Sequence, residues 1–155
     1  RPFPGSPMLD ASAIGITITR PAIVVEAGQS RLFAKATGQS DPIHFDEAAA
    51  KARGYRSIVA PPTFVHCLHA IGADDPFELF TRLGVPLEDT LHGSQSFTYG
   101  VPLCAGDTVA FEIRVADVHA KKQGALVFLV AGMRATNQLG ERVAEIVNTT
   151  IVIAR

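Results

Sequence analysis

Residues Gly38–Phe64 read GQSDPIHFDEAAAKARGYRSIVAPPTF, and the rest of the 155-residue chain is organised around this stretch. Gly38 to His44 gathers turn formers, a carboxylate and an imidazole, with Asp41 three residues before His44. Pro42 fixes its own φ and biases Asp41 towards an extended backbone. The two polar side chains are therefore expected on a stiff turn. A stiff Asp/His pair suits proton transfer, because histidine titrates nearest neutral pH. The same residues have a plainer reading. Asp-Pro starts many turns, Asp46 can cap a helix over Glu47–Arg53, and His44 can be an ordinary loop histidine.

Downstream, Pro61-Pro62-Thr63 reads as a helix start with Thr63 at or next to the cap. Phe64, Cys67, Leu68 and Ile71 recur at i, i+3, i+4 and i+7, which predicts a buried helix over Phe64–Gly72, its apolar surface widened by Val65. Upstream, Ala27–Thr37 reads as a helix with Leu32, Phe33 and Ala36 on one face and Gly38 as its stop. Before it, Ile14, Ile16 and Ile18 alternate like a half-buried strand, Pro21 interrupts, and Ile23–Val25 resumes. Ser57–Ala60 reads as a short extended link.

Ala73–Asp89 is rich in turn formers, with Phe77, Leu79, Phe80 and Leu83 as apolar anchors. It reads as a surface excursion with one helical turn, a lid or an acyl-channel wall. Four strand-like runs follow: His92–Pro102, Asp107–His119, Leu126–Thr136 and Arg142–Ala154. Turns at Gly106-Asp107, Lys121–Gly124 and Asn137–Gly140 separate them. The expected class is α+β: an antiparallel sheet of about five strands, the last four in a meander, laid on one apolar helix.

The length gives room for one domain, taken as 8–155, with 1–7 expected to be a disordered leader or expression remnant. A formal net charge of −1 offers no electrostatic case for nucleic acid or a membrane surface. No apolar run is long enough to span a bilayer. Cys67 and Cys104 do not make a disulfide framework, so a reducing, cytoplasmic location is expected. His66, Cys67 and His69 share a helix but lack a third ligand, so no metal is expected. Cys104 reads as a small buried residue. His92 and Gln95 are candidates for a pocket mouth, with a hydrogen-bonded structural role as the alternative. Lys51, Arg53 and Arg56 could meet the phosphates of a coenzyme or simply form a solvated face.

The segments Gly38–His44 and Ile58–Phe64, then Leu91-His92-Gly93-Ser94-Gln95-Ser96-Phe97-Thr98-Tyr99, Ala105-Gly106-Asp107-Thr108, Ala116-Asp117-Val118 to Lys121-Lys122, and Thr136-Asn137-Gln138-Leu139-Gly140-Glu141 occur in one order along the chain. In that order they resemble the MaoC-like hydratase/dehydratase family. The branch they look closest to carries an N-terminal dehydratase domain like that of type I fatty-acid synthases (FAS1-like). The resemblance implies a hot-dog fold, an antiparallel sheet wrapped around a long helix, here the Phe64 helix. It implies (R)-specific hydration of trans-2-enoyl thioesters, or dehydration of 3-hydroxyacyl thioesters, carried on coenzyme A or an acyl carrier protein. It implies no metal or redox cofactor, and a homodimer or a hot-dog heterodimer.

The hydratase branch reads Gly-Asp-x-Asn-Pro-x-His, and with Pro42 and His44 aligned, His44 matches the catalytic histidine. Asp41 falls on the asparagine, and Gln39, five residues before His44, stands where the catalytic aspartate is usual. Gln39 cannot titrate but can orient a water. Asp41 either supplies the carboxylate or keeps the structural role of the asparagine. By the same resemblance, Ala60, Pro62, Thr63 and Phe64 at the helix start are the substrate-binding positions, to which Gln95 is added as a pocket-mouth candidate from its place at a strand start. The hydratase branch has glycine where Pro62 stands, whereas the Pro-Pro pair is usual in the FAS1-like branch that this chain resembles. Proline has no N–H, so Thr63 or Phe64 would polarise the thioester carbonyl. Two other functions stay open: a non-catalytic acyl-binding subunit paired with a catalytic partner, favoured by Gln39, and a hot-dog thioesterase. The latter would need a carboxylate on or near the Phe64 helix, and Phe64–Gly72 has none.

Overall fold

In the computed structural model, which describes residues 9–153, the backbone forms β1 (Thr17–Val24), β2 (Thr90–Tyr99), β3 (Thr108–Lys121), β4 (Leu126–Asn137) and β5 (Arg142–Ile153). Four α-helices precede β2: α1 (Ala27–Ala36), α2 (Glu47–Ala52), α3 (Phe64–Ile71) and α4 (Glu78–Leu83). The leader expected over residues 1–7 and the strand residue Ala154 lie outside the described residues. The strands join in one antiparallel sheet ordered β1-β3-β4-β5-β2.

β3, β4 and β5 form the expected meander, but β2 does not precede them in it. It crosses to the far edge and pairs with β5, Thr90 opposite Val152 and Tyr99 opposite Ala144. The composition of β2, TLHGSQSFTY, explains the placement. Small and polar residues leave most of it exposed, as an edge strand tolerates. At the other edge, Pro21 falls inside β1. It sits in a register shift between Arg20 and Ile23, where a missing N–H costs no ladder bond.

Alternation on β3 buries Val109, Phe111, Ile113 and Val115 on one face and leaves Ala110, Glu112 and Arg114 on the other. The buried face receives α3 through Phe64, Val65 and Leu68, which pack with Phe111, Ala135 and Ile146. Burying each of these three side chains is worth about 1.5–3 kcal/mol. This is the hot-dog arrangement, with a helix of about two turns rather than a long one. The buried face of α3 is also rotated from the expected one. Phe64, Val65, Leu68 and His69 are buried, Cys67 is half-buried and Ile71 is exposed.

On α1 the inward side chains are Ser30, Phe33 and Ala34, while Leu32 points to solvent at 69% exposure and Ala36 is exposed too. The segment Ala73–Asp89 is less superficial than expected. Leu79, Leu83 and Val85 join Ile18, Ile113, Val115 and Leu129 in a second apolar cluster. Arg20 bonds the Glu78 carboxylate and the Asp75 carbonyl, which ties α4 to β1. Phe77, expected as an anchor, is half exposed.

Candidate active site

The turn bearing His44 is suspended between α1 and α2. The Gln39 N–H closes α1 on the Ala34 carbonyl at 2.9 Å, after Gly38 at φ +71° has reversed the chain. Pro42–His44 then forms one tight 3-10 turn, capped by Asp41, whose Oδ1 accepts the Ile43 N–H at 3.2 Å. Asp46 caps α2 by accepting the Ala48 and Ala49 N–H groups at 2.7 and 3.3 Å. Thus the plain reading of Asp46 and a special setting for His44 hold together. His44 is 7% exposed.

The His44 Nδ1 lies 2.6 Å from the Val59 carbonyl oxygen, and the Val59 N–H donates to the Ile43 carbonyl at 3.0 Å. A carbonyl can only accept, so Nδ1 carries the ring hydrogen and Nε2 keeps its lone pair. Nε2 has no hydrogen-bond partner among the described residues. An imidazole held by Nδ1–H to a backbone carbonyl, with Nε2 bonded to none of the described residues, is arranged to accept a proton at Nε2.

Asp41 faces elsewhere. Both of its oxygens accept from Arg53 Nη1, at 2.9 and 2.7 Å. The Ile43 amide and Arg53 hold its carboxyl below the usual carboxylate range. Gln39 is exposed, and its side chain has no hydrogen-bond partner among the described residues. The structure therefore brings Asp41 to Arg53 and His44 to Val59. The three cations weighed as phosphate contacts are paired inside the chain: Lys51 with Glu47, Arg53 with Asp41, Arg56 with Asp107.

At the start of α3, Ala60 is buried and donates to the Leu103 carbonyl at 2.8 Å. The Phe64 N–H is taken by the Pro61 carbonyl at 2.9 Å. Thr63 occupies the cap position without a side-chain cap bond, and its N–H has no partner among the described residues. Of the two donors weighed for a thioester carbonyl, Thr63 is the one left available. Pro62 and Thr63 are exposed, and Phe64 is buried with its ring 5.4 Å from that of Phe33.

Gln95, on β2, reaches across to α3. Its Nε2 lies 3.1 Å from His66 Nδ1, which accepts, so His66 carries its hydrogen on Nε2. Burial, then the proximity of His92, pushes the His66 pKa down. His69 is lowered further, to about 4, by burial, Arg20 and His66, and its buried Nε2 has no partner. Among the described residues no group of three or more His, Cys, Asp or Glu side chains is placed to hold a metal ion. Cys67 and Cys104 are both free, and among the described residues no helix is long and apolar enough to cross a membrane.

Sequence reasoning missed Val59, because its contribution is a backbone carbonyl that residue type does not reveal. It also missed the pairing of Arg53 with Asp41, whose only signal was opposite charge on two helix-flanking turns.

The chain is similar to known proteins along most of its length. It is 34% identical over 144 residues to a UPF0336 protein of Saccharopolyspora erythraea, covering 92% of this chain and 90% of that one. It is 33% identical over 124 residues to a UPF0336 protein of Clavibacter michiganensis, covering 79% and 80%. Among solved structures it resembles the C-terminally truncated HadBC (3R-hydroxyacyl-ACP dehydratase) complex of Mycobacterium tuberculosis. That match has a TM-score of 0.80 and 28% identity over 92% of this chain and 99% of that one. The (R)-hydratase PhaJ1 of Pseudomonas aeruginosa shares the fold at TM-score 0.67 and 20% identity, over 92% of this chain and 83% of that one. The family model described as FAS1-like, dehydratase domain region matches residues 12–146, and the chain belongs to that family.

Proposed function

We propose that this protein catalyses the (R)-specific hydration of trans-2-enoyl thioesters and the reverse dehydration of 3-hydroxyacyl thioesters, with His44 as the base. The observation that carries the reading is the Nδ1–H bond of His44 to Val59, which leaves Nε2 as the proton acceptor. In the hydration direction Nε2 takes a proton from water as the oxygen adds to the β-carbon. The protonated Nε2 then gives that proton to the α-carbon, so one water is added across the double bond and the ring ends as it began. The Thr63 N–H at the start of α3 is the donor for charge on the thioester oxygen. Gln39 orients the water rather than titrating. Asp41 keeps the turn in shape through Ile43 and Arg53. The thioester rides on coenzyme A or an acyl carrier protein, the protein works in the cytoplasm without metal or redox cofactor, and two hot-dog subunits make the working unit.

A second reading is favoured by two observations. Gln39 replaces the usual acid, and the one carboxylate on the His44 turn, Asp41, is tied to Arg53. In this reading the chain is the acyl-binding half of a heterodimer, as the naming of a two-part complex for the Mycobacterium tuberculosis structure supports. The test is the loss of enoyl-thioester absorbance with crotonyl-coenzyme A and a medium-chain analogue, for wild type and His44→Ala. Turnover that depends on His44 supports the enzyme. No turnover at either chain length from folded protein turns the reading to the acyl-binding subunit.

A further inference from the structure

We propose that Arg56 and Asp107 are positioning residues for His44: they clamp the Ile58–Ala60 segment so that the Val59 carbonyl sets the tautomer of the His44 ring. The inference rests on the reading of His44 as the base.

Val59 holds the His44 turn twice, accepting from the ring and donating to the carbonyl of Ile43. Yet the segment that carries Val59 is not part of a named strand. It is fixed by one isolated bridge, Val59 opposite Cys104, with Ala60 donating to Leu103 and Ala105 donating to Ile58, each at 2.8 Å. A bridge this short has little strength of its own, because each backbone bond only replaces a bond to water and contributes little net.

Asp107 supplies what the bridge lacks. Its Oδ2 accepts the Cys104 N–H at 2.9 Å, on one side of the bridge. Both carboxylate oxygens accept Arg56 Nη2, at 2.6 and 2.7 Å, and Arg56 lies two residues before Ile58, on the other side. Gln138 completes the set. Its Nε2 donates to Asp107 Oδ1 at 3.0 Å, while its Oε1 accepts the Thr108 N–H at 2.9 Å. One carboxylate thus joins both strands of the bridge to the β4–β5 turn.

Asp107 is 3% exposed, and a buried charge persists only when it is paired and bonded. Burial pushes its carboxyl pKa up. The bonds from Gln138, the Cys104 amide and Arg56 outweigh that and hold it below the usual carboxylate range. The carboxylate therefore stays ionised around neutrality, and Arg56 is its charge partner.

The consequence for His44 is specific. In water a neutral imidazole side chain favours the Nε2–H form, which has no lone pair on Nε2 to act as base. The Val59 carbonyl enforces the opposite form. Loosening the clamp releases that choice without touching the ring.

The test compares wild type, Arg56→Met, Arg56→Lys and Gln138→Met, with thermal unfolding to establish that each is folded. The guanidinium is half exposed, so its removal leaves no buried void. The tautomer of neutral His44 is read from its ring ¹⁵N shifts, and kcat and KM are measured with crotonyl-coenzyme A. In Arg56→Met the ring signals are expected to move towards the Nε2–H form. The expected fall in kcat is about tenfold to a hundredfold, from misplacement of the base. KM should change less than about twofold, since substrate binding is not the lost interaction. Arg56→Lys should restore much of both. An unchanged Nδ1–H ring in folded Arg56→Met and Gln138→Met overturns the proposal. If Arg56→Met does not fold, the ring spectrum of Gln138→Met decides in its place, a shift towards the Nε2–H form supporting the proposal and an unchanged ring overturning it. If wild type shows no turnover, the hydratase reading fails, and the ring spectra still decide the positioning role.

Discussion

The Nδ1 of His44 lies 2.6 Å from the carbonyl oxygen of Val59, a residue fifteen positions further along the chain. The bond fixes the ring from one side only and leaves Nε2 as its single basic atom. His44→Ala removes that atom. Its kcat/KM with an enoyl thioester is expected to fall by about 10²–10⁴-fold, the usual worth of general base assistance. Circular dichroism should stay that of the wild type. A variant that keeps the parent rate would remove His44 from the chemistry.

Asp41→Asn separates the two roles weighed for Asp41. Asparagine keeps the acceptor for the Ile43 N–H but loses the charge that pairs with Arg53. If Asp41 shapes the turn, the variant retains activity to within about tenfold, well short of the loss expected for a catalytic group. A loss as large as that of His44→Ala would make Asp41 the second catalytic group.

Gln39→Asp restores the residue type usual in the hydratase branch. Activity is expected to hold or rise, as an ionised carboxylate can share the work on water that an amide can only orient. A large loss in the same absorbance assay would show that the glutamine amide has a role of its own.

His69 supplies a pH dependence of stability. Its pKa is about 4 in the fold, against 6.5 for the free side chain. Between these values the unfolded chain binds more protons than the folded one, so stability falls as pH drops from 6.5 to about 4. The difference amounts to about 3 kcal/mol at most. His69→Phe, facing Phe111 in the same apolar setting, should flatten this slope in urea unfolding followed from about pH 7 to about pH 4. An unchanged slope would place the titrating group elsewhere.

Gly100 follows β2 at a point where a Cβ would lie 1.9 Å from the Arg142 carbonyl oxygen. Backbone cannot yield as a side-chain tip can, so Gly100→Ala should push the end of β2 from β5. The expected cost is about 1–3 kcal/mol, readable as a lower urea midpoint. A midpoint equal to wild type would show that the two strands separate there at no cost.

Much of the fold was legible because period-2 alternation in Phe111, Ile113 and Val115 and the turn residues at Asn137–Gly140 are local signals. The turn forms where expected, and the Asn137 side chain shapes it by accepting the Leu139 and Glu141 N–H groups. The position of β2 was not legible, because strand order depends on which distant strand is met. The buried faces of α1 and α3 depart from the apolar pattern for a related reason. Leu32 and Ile71 are apolar enough to be buried, but Ser30 and His69 are the residues turned inward. At the candidate site, the tight turn that carries His44 was legible from Asp41-Pro42. The carbonyl of Val59, the use of the Phe64 amide by Pro61 and the partners of Asp107 are matters of tertiary placement.

The strand order also sets a timetable. β2 is made before β3, β4 and β5, yet its one neighbour in the sheet is β5, the last of the five. Until Arg142–Ile153 has left the ribosome, the backbone of Thr90–Tyr99 has no ladder to join, while Phe97 waits without the cover it gains in the fold. The meander can close from neighbouring strands, but the β2 edge is completed only by a loop closure that spans the whole of β3 and β4. Nascent chains of this protein therefore carry their aggregation risk on β2, and the polar residues His92, Ser94, Gln95, Ser96 and Thr98 keep that waiting strand soluble.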